Sequence, residues 1–151
     1  MPFAAETPDS LGTYQELPGI NRGDDAVATR SDVRGFLLSQ YRADTDEGNS
    51  LRFLFETERG RSQYVNVIGG QGIPYVLVTS PVGPTSAIDA NILLALTEDR
   101  TMGVKQIGGM YFVVAAALIE DLQSKELLGP LFTVLADADA YEEKLGLGDR
   151  L

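Results

Sequence analysis

A chain of 151 residues with 44% hydrophobic and 23% charged content has the make-up of one globular domain, large enough to bury about two-thirds of its unfolded surface. It has neither cysteine nor histidine. This excludes disulfides, thiolate nucleophiles, zinc–cysteine sites and every Ser-His-Asp or Cys-His device, leaving acid–base work to carboxylates, Tyr, Lys and Arg. The net charge of −10 is uneven: −4 over residues 1–28, zero over 29–85 and −6 over 86–151. So acidic a last third disfavours contact with a phosphate backbone; it serves solubility, or it selects basic protein segments.

Residues 1–28 mix Pro2, Pro8, Gly12, Pro18, Gly19 and Gly23 with acids, which breaks any helical or alternating pattern and reads as a flexible acidic arm. Tyr14, Leu17 and Ile20 are its apolar anchors. The domain proper is expected over 29–151. Thr29 reads as a helix cap, and Val33, Phe36, Leu37 and Tyr41 follow on one helical face. The turn-rich 44–49 stretch ends that helix.

Three strand signals come next: Leu51, Phe53 and Phe55 in alternation, then 64–68, then 73–79, joined by turns at 58–61 and 69–72 as an antiparallel meander. Pro81, Gly83 and Pro84 are expected to stop the sheet. A second helix is expected from Thr85 or Ser86, with Ile88, Ile92 and Ala95 on one face and Leu94 and Leu96 widening it. Gly108-Gly109 marks a two-residue hairpin between strands at 101–106 and 110–117. The run Val113-Val114-Ala115-Ala116-Ala117 is apolar on both faces, as in a strand covered on both sides or buried in an interface. The last helix begins at Ser124, carries Leu127, Leu131, Val134, Ala138, Tyr141 and Leu145, and stops at Gly146. Gly129-Pro130 predicts a kink or restart.

No motif carries catalysis. The glycines of 69–72 lack the Lys-Ser/Thr of a phosphate loop, and a strand follows them. Residues 44–49 resemble a calcium loop, with the glycine one place early and Phe55 where the twelfth-position glutamate belongs. Asp137, Asp139, Glu142 and Glu143 lie along the last helix as a solvated face or as partner-docking acids. Arg30, Arg34, Arg52, Arg59 and Arg61 are interleaved with acids, in local salt bridges or as a patch for an acidic partner. The final stripe, broadened by Leu128, Phe132 and Leu135, is core alone or core plus a surface for a second chain. No catalytic, cofactor-binding or metal residue is assigned.

The 91–96 leucine-rich helix leading through 102–105 into the 108–113 hairpin resembles the YbjN family and the related class I type III secretion chaperones. So do Leu122, the 124–127 start and the 136–142 end of the last helix. The resemblance spans residues 29–146; the long arm and Gly129-Pro130 depart from it. It implies an α+β fold of order α-β-β-β-α-β-β-α, with one antiparallel five-stranded sheet packed with helices. It also implies no enzymatic activity, no cofactor, homodimerisation, and binding of client proteins as a chaperone or as a regulator of stress responses and motility.

The expectation is therefore a cytoplasmic, chaperone-like protein-binding module, without a membrane span, since the longest apolar run, 110–119, is half of the about 20 residues needed. The N-terminus has no basic residue or apolar run of a secretory signal. Phe36, Tyr41, Phe53, Phe55 and Tyr64 are the candidate client contacts, and Val114, Leu128 and Phe132 the candidate dimer contacts. The alternative is a nucleic-acid-associated regulator using the arginines of 30–61.

Overall fold

The computed structural model describes residues 3–4, 30–57, 60–69, 74–119 and 124–147. The order is β1 (Phe3–Ala4), α1 (Arg30–Gln40), β2 (Thr45–Asp46), β3 (Ser50–Glu56), β4 (Ser62–Ile68), β5 (Tyr75–Pro84), a 3-10 turn (Thr85–Ala87), α2 (Ala90–Leu96), β6 (Gly103–Ile107), β7 (Met110–Leu118) and α3 (Ser124–Lys144). The α+β order read from the sequence is present, with two short additions, β1 and β2. The sheet runs β1-β3-β4-β5-β7-β6, and β2 also pairs with β3. Every pairing is antiparallel except β1 on β3, where Phe3 and Ala4 face Phe55 and Glu56. The rest of the acidic arm, the Thr29 cap and the turn at 70–73 lie outside the described residues.

Period-2 alternation sorts the side chains. Leu51, Phe53 and Phe55 on β3 lie opposite Val67, Val65 and Gln63 on β4, and all six are buried. Val78 pairs with Val67 and with Ala115, carrying the same face across β5 to β7. This face holds the core, joined by Val33, Phe36 and Leu37 of α1, Leu93 of α2 and the wide stripe of α3. α3 is buried on most of its circumference. Its last turn closes as a Schellman motif: Leu147 N–H bonds Glu142 C=O at 3.0 Å, Gly146 N–H bonds Glu143 C=O at 3.1 Å, and Gly146 has φ +68°. Among the described residues no helix is long and apolar enough to cross a membrane.

Three sequence expectations are corrected. β5 does not stop at Thr79: it runs on to Pro84 through a bulge between Pro81 and Gly83. Beyond Thr79 it has no β4 ladder partner, so prolines without N–H cost nothing on that side. Side chains bridge the gap instead, Ser80 Oγ donating to Tyr64 C=O at 2.6 Å and Gln63 Nε2 to Pro81 C=O at 2.6 Å. α2 starts at Ala90, not at residue 85 or 86, because Asp89 is the cap that works, its carboxylate accepting Asn91 N–H at 2.8 Å. That phase buries Leu93 and turns Ile92 and Leu94 outward. α3 passes through Gly129-Pro130 as one helix.

Candidate functional site

Among the described residues no helix covers the other face of the sheet. Leu54 and Tyr64 are paired across β3 and β4, Ile68 and Leu77 across β4 and β5, Leu77 and Ala116, and Tyr75 and Leu118, across β5 and β7. Val114 and Phe112 continue this face toward β6. None of these side chains belongs to the core or packs against it. Leu118 is 67% exposed and Tyr75 39%, high values for large apolar groups. The surface is about 19 Å wide across five strands at their usual spacing.

The face has two unlike halves. On β3 and β4 the Arg52 guanidinium stacks over the Tyr64 ring at 4.6 Å and is held from the side by Asp44 at 2.9 Å. Leu54 and Ile68 flank this pair, giving an aromatic–Arg–aliphatic patch of the kind that dominates binding energy at protein interfaces. On β5, β7 and β6 the face is mainly apolar, with Tyr75 and Phe112 among aliphatic residues; Lys105, opposite Phe112, is its one charged side chain among the described residues.

The site residues named from sequence divide accordingly. Tyr64 and Val114 lie on the open face. Phe36, Tyr41, Phe53 and Phe55 do not offer surface: each is at most 5% exposed, and Tyr41 packs edge-on against Phe53 and Phe55 at 6.0 and 5.4 Å. Their alternation was correctly read, but the apolar face it defines is the one that α1 and α3 cover. Leu128 is likewise buried at 5%. Phe132 is half-buried against Phe55 at 5.5 Å. Most of the breadth of the last stripe is therefore used within the chain.

Three of the four α3 acids are corrected too, while Glu143 stays exposed. Asp137, Asp139 and Glu142 are buried, at 3, 5 and 0% exposure. Arg61, from the β3–β4 turn, binds Asp139 at 2.7 Å and Glu142 at 3.4 Å, and Arg100 binds Asp137 at 3.1 Å. Arg61 is held more firmly protonated by these carboxylates, Asp139 foremost. Burial raises the Asp137 carboxyl above its ordinary value, with Arg100 opposing and Asp99 adding to the rise. Burial also raises the Tyr141 phenol.

Residues 44–49 form a turn around an ion pair. Arg34 grips both Asp46 oxygens, and Gly48 N–H bonds Asp46 Oδ1 at 3.1 Å, which pulls that carboxyl down to about 2. Arg34, Arg52 and Arg61 thus all face carboxylates, the local salt-bridge alternative for this stretch.

No protein-family model and no curated relative matches this chain. Its fold is similar to that of a chain in the HopA1–SchA chaperone–effector complex, with a TM-score of 0.54 and 14% identity over 70% of this chain and 84% of that one. At that identity the likeness establishes the fold.

Proposed function

We propose that this chain is a non-enzymatic, chaperone-like protein-binding module that acts as a cytoplasmic homodimer and holds an extended segment of a client polypeptide. The observation carrying this reading is the apolar sheet face that no helix covers among the described residues. The chaperone-like fold supports it, and so does the resemblance of the 91–113 and 124–142 segments to YbjN-like proteins and secretion chaperones. The β3–β4 half, with Leu54, Tyr64, Ile68 and Arg52, is assigned to the client. A segment laid across it removes aliphatic and aromatic surface from water, at about 25 cal/mol for each Å² buried. The guanidinium of Arg52, already stacked and oriented, needs little ordering to meet a client carbonyl or carboxylate.

The test is suppression of aggregation. Light scattering from thermally unfolding citrate synthase is expected to fall in the presence of the chain, and to fall much less with Leu54→Asp or Ile68→Asp. Far-ultraviolet circular dichroism establishes that each variant is folded. Equal suppression by folded variants, or none by the wild type, contradicts the reading.

A further inference from the structure

The client half of the open face is not uniformly apolar. Across the strands, its rows differ in chemistry. Leu54 pairs with Tyr64 in one row, and Ile68 with Leu77 in another. Midway between these apolar pairs runs a polar row, Arg52 opposite Asn66 and Asn66 opposite Thr79. It lies two residues, about 7 Å, from each apolar pair. Asn66 and Thr79 bond each other, Nδ2 donating to Oγ1 at 3.3 Å. Arg52 keeps a donor in reserve. Its Nε and Nη2 both donate to Asp44 Oδ2, at 3.1 and 2.9 Å, while Nη1 makes no hydrogen bond among the described residues. Stacking on the Tyr64 ring holds the guanidinium over the sheet.

An extended client segment laid along the strands turns every second side chain to the sheet, at the same spacing of about 7 Å. Three successive inward side chains then meet, in order, an apolar pair, the polar row and the other apolar pair. The central one lies against a cation with an open donor. An acidic side chain there gains a charge-assisted hydrogen bond. A basic one meets like charge while losing its water. An apolar one covers Arg52 Nη1 and leaves it unpaired. Placement matters as well, because the next outward side chain beyond Leu54 is the exposed Glu56, which repels a client acid shifted to that side. The net charge of −10 does not oppose a single acid here, since residues 29–85, which build this half, sum to zero.

We infer that the client half selects extended segments of the pattern apolar–x–acid–x–apolar, with the client carboxylate on Arg52. This rests on the client-binding part of the proposed function and adds which segments that site takes.

The experiment is fluorescence anisotropy of three labelled synthetic peptides with the full chain. Their centres are Leu-Thr-Glu-Thr-Ile, the same with Lys in place of Glu, and the permuted Glu-Thr-Leu-Thr-Ile. The first is expected to bind roughly tenfold tighter than either of the others. Arg52→Glu is expected to reverse the preference between the first two, and Leu54→Asp to abolish binding of the first. Circular dichroism establishes that both variants are folded. Equal affinity for all three peptides, or a preference for the Glu peptide that survives in folded Arg52→Glu, overturns the inference. So does an affinity that falls as the protein concentration rises, which means that a second copy takes the face. Suppression of citrate synthase aggregation separates this inference from the reading beneath it. If suppression holds and depends on Leu54, those peptide results, or no peptide binding at all, remove only the acid-centred pattern. If suppression is absent, the client-binding reading falls and the pattern falls with it.

Discussion

Arg61 holds two buried carboxylates of α3 from the end of a hairpin 78 residues earlier in the chain. Removing one partner of such a cluster leaves charge uncompensated in a poorly solvated place. Arg61→Met is expected to cost about 2–4 kcal/mol in urea denaturation; a loss under about 1 kcal/mol would mean that the cluster is solvated after all. The two perturbed aspartates predict opposite pH behaviour. Asp46 has its pKa depressed to about 2, so its contribution is present above the unfolded value near 4 and is lost as the pH falls from there to about 2. Asp46→Asn should therefore lower stability at pH 7, by a margin that shrinks as the pH falls toward 2 and vanishes only below it. Asp137 is raised, mainly by burial, so its charged form opposes folding above the folded pKa, and the penalty fades as the pH drops toward the ordinary value. Asp137→Asn should raise stability at pH 7, an advantage that shrinks on acidification. Urea midpoints of both variants from pH 2 to 7 check the two signs together. These carboxylates were illegible as buried groups in sequence, because their partners Arg61 and Arg100 come from distant turns and a helical acid looks the same whether or not a cation reaches it.

At the level of elements, legibility followed the number of repeats available to define a phase. β3 and β4 alternate over 7 residues each, β7 is a continuous apolar run of 9, and α3 repeats over 21; all four were readable, down to the stop at Gly146. The Gly108-Gly109 hairpin was readable too, since both residues take positive φ, +56° and +77°. α2 has only seven residues, about two turns, so the choice of cap set its phase and the wrong cap put the wrong leucine inside. The β5 terminus was misread because proline forbids a ladder bond only where one is made. Burial gives a direct contrast on one residue type. Leu131→Ala, at 0% exposure, should cost about 2–5 kcal/mol, whereas Leu118→Ala, at 67%, should lie within about 0.5 kcal/mol in the monomer. Thermal or urea unfolding at low protein concentration, where association does not contribute, measures both.

For the molecule as a whole, the arrangement is a sheet with helices on one side and apolar residues on both. The sequence carried a trace of this in the 113–117 run, which required either a second cover or an interface. Val113 and Ala117 face the core, while Val114 and Ala116 face away from it. What sequence alone did not separate was which aromatic face the helices take, since Phe53, Phe55 and Tyr64 follow the same alternation on neighbouring strands. The fold resolves this by register: Phe53 and Phe55 go under α1 and α3, and Tyr64 stays outside with Leu54 and Arg52. The central claim is that this outer face binds protein. Its most direct test is affinity capture from the source cells with the wild type, Leu54→Asp and Leu118→Ala in parallel, each shown to be folded. The expected result is a partner captured by the wild type, retained with Leu118→Ala and lost with Leu54→Asp. The same partner captured equally by the wild type and Leu54→Asp would contradict it.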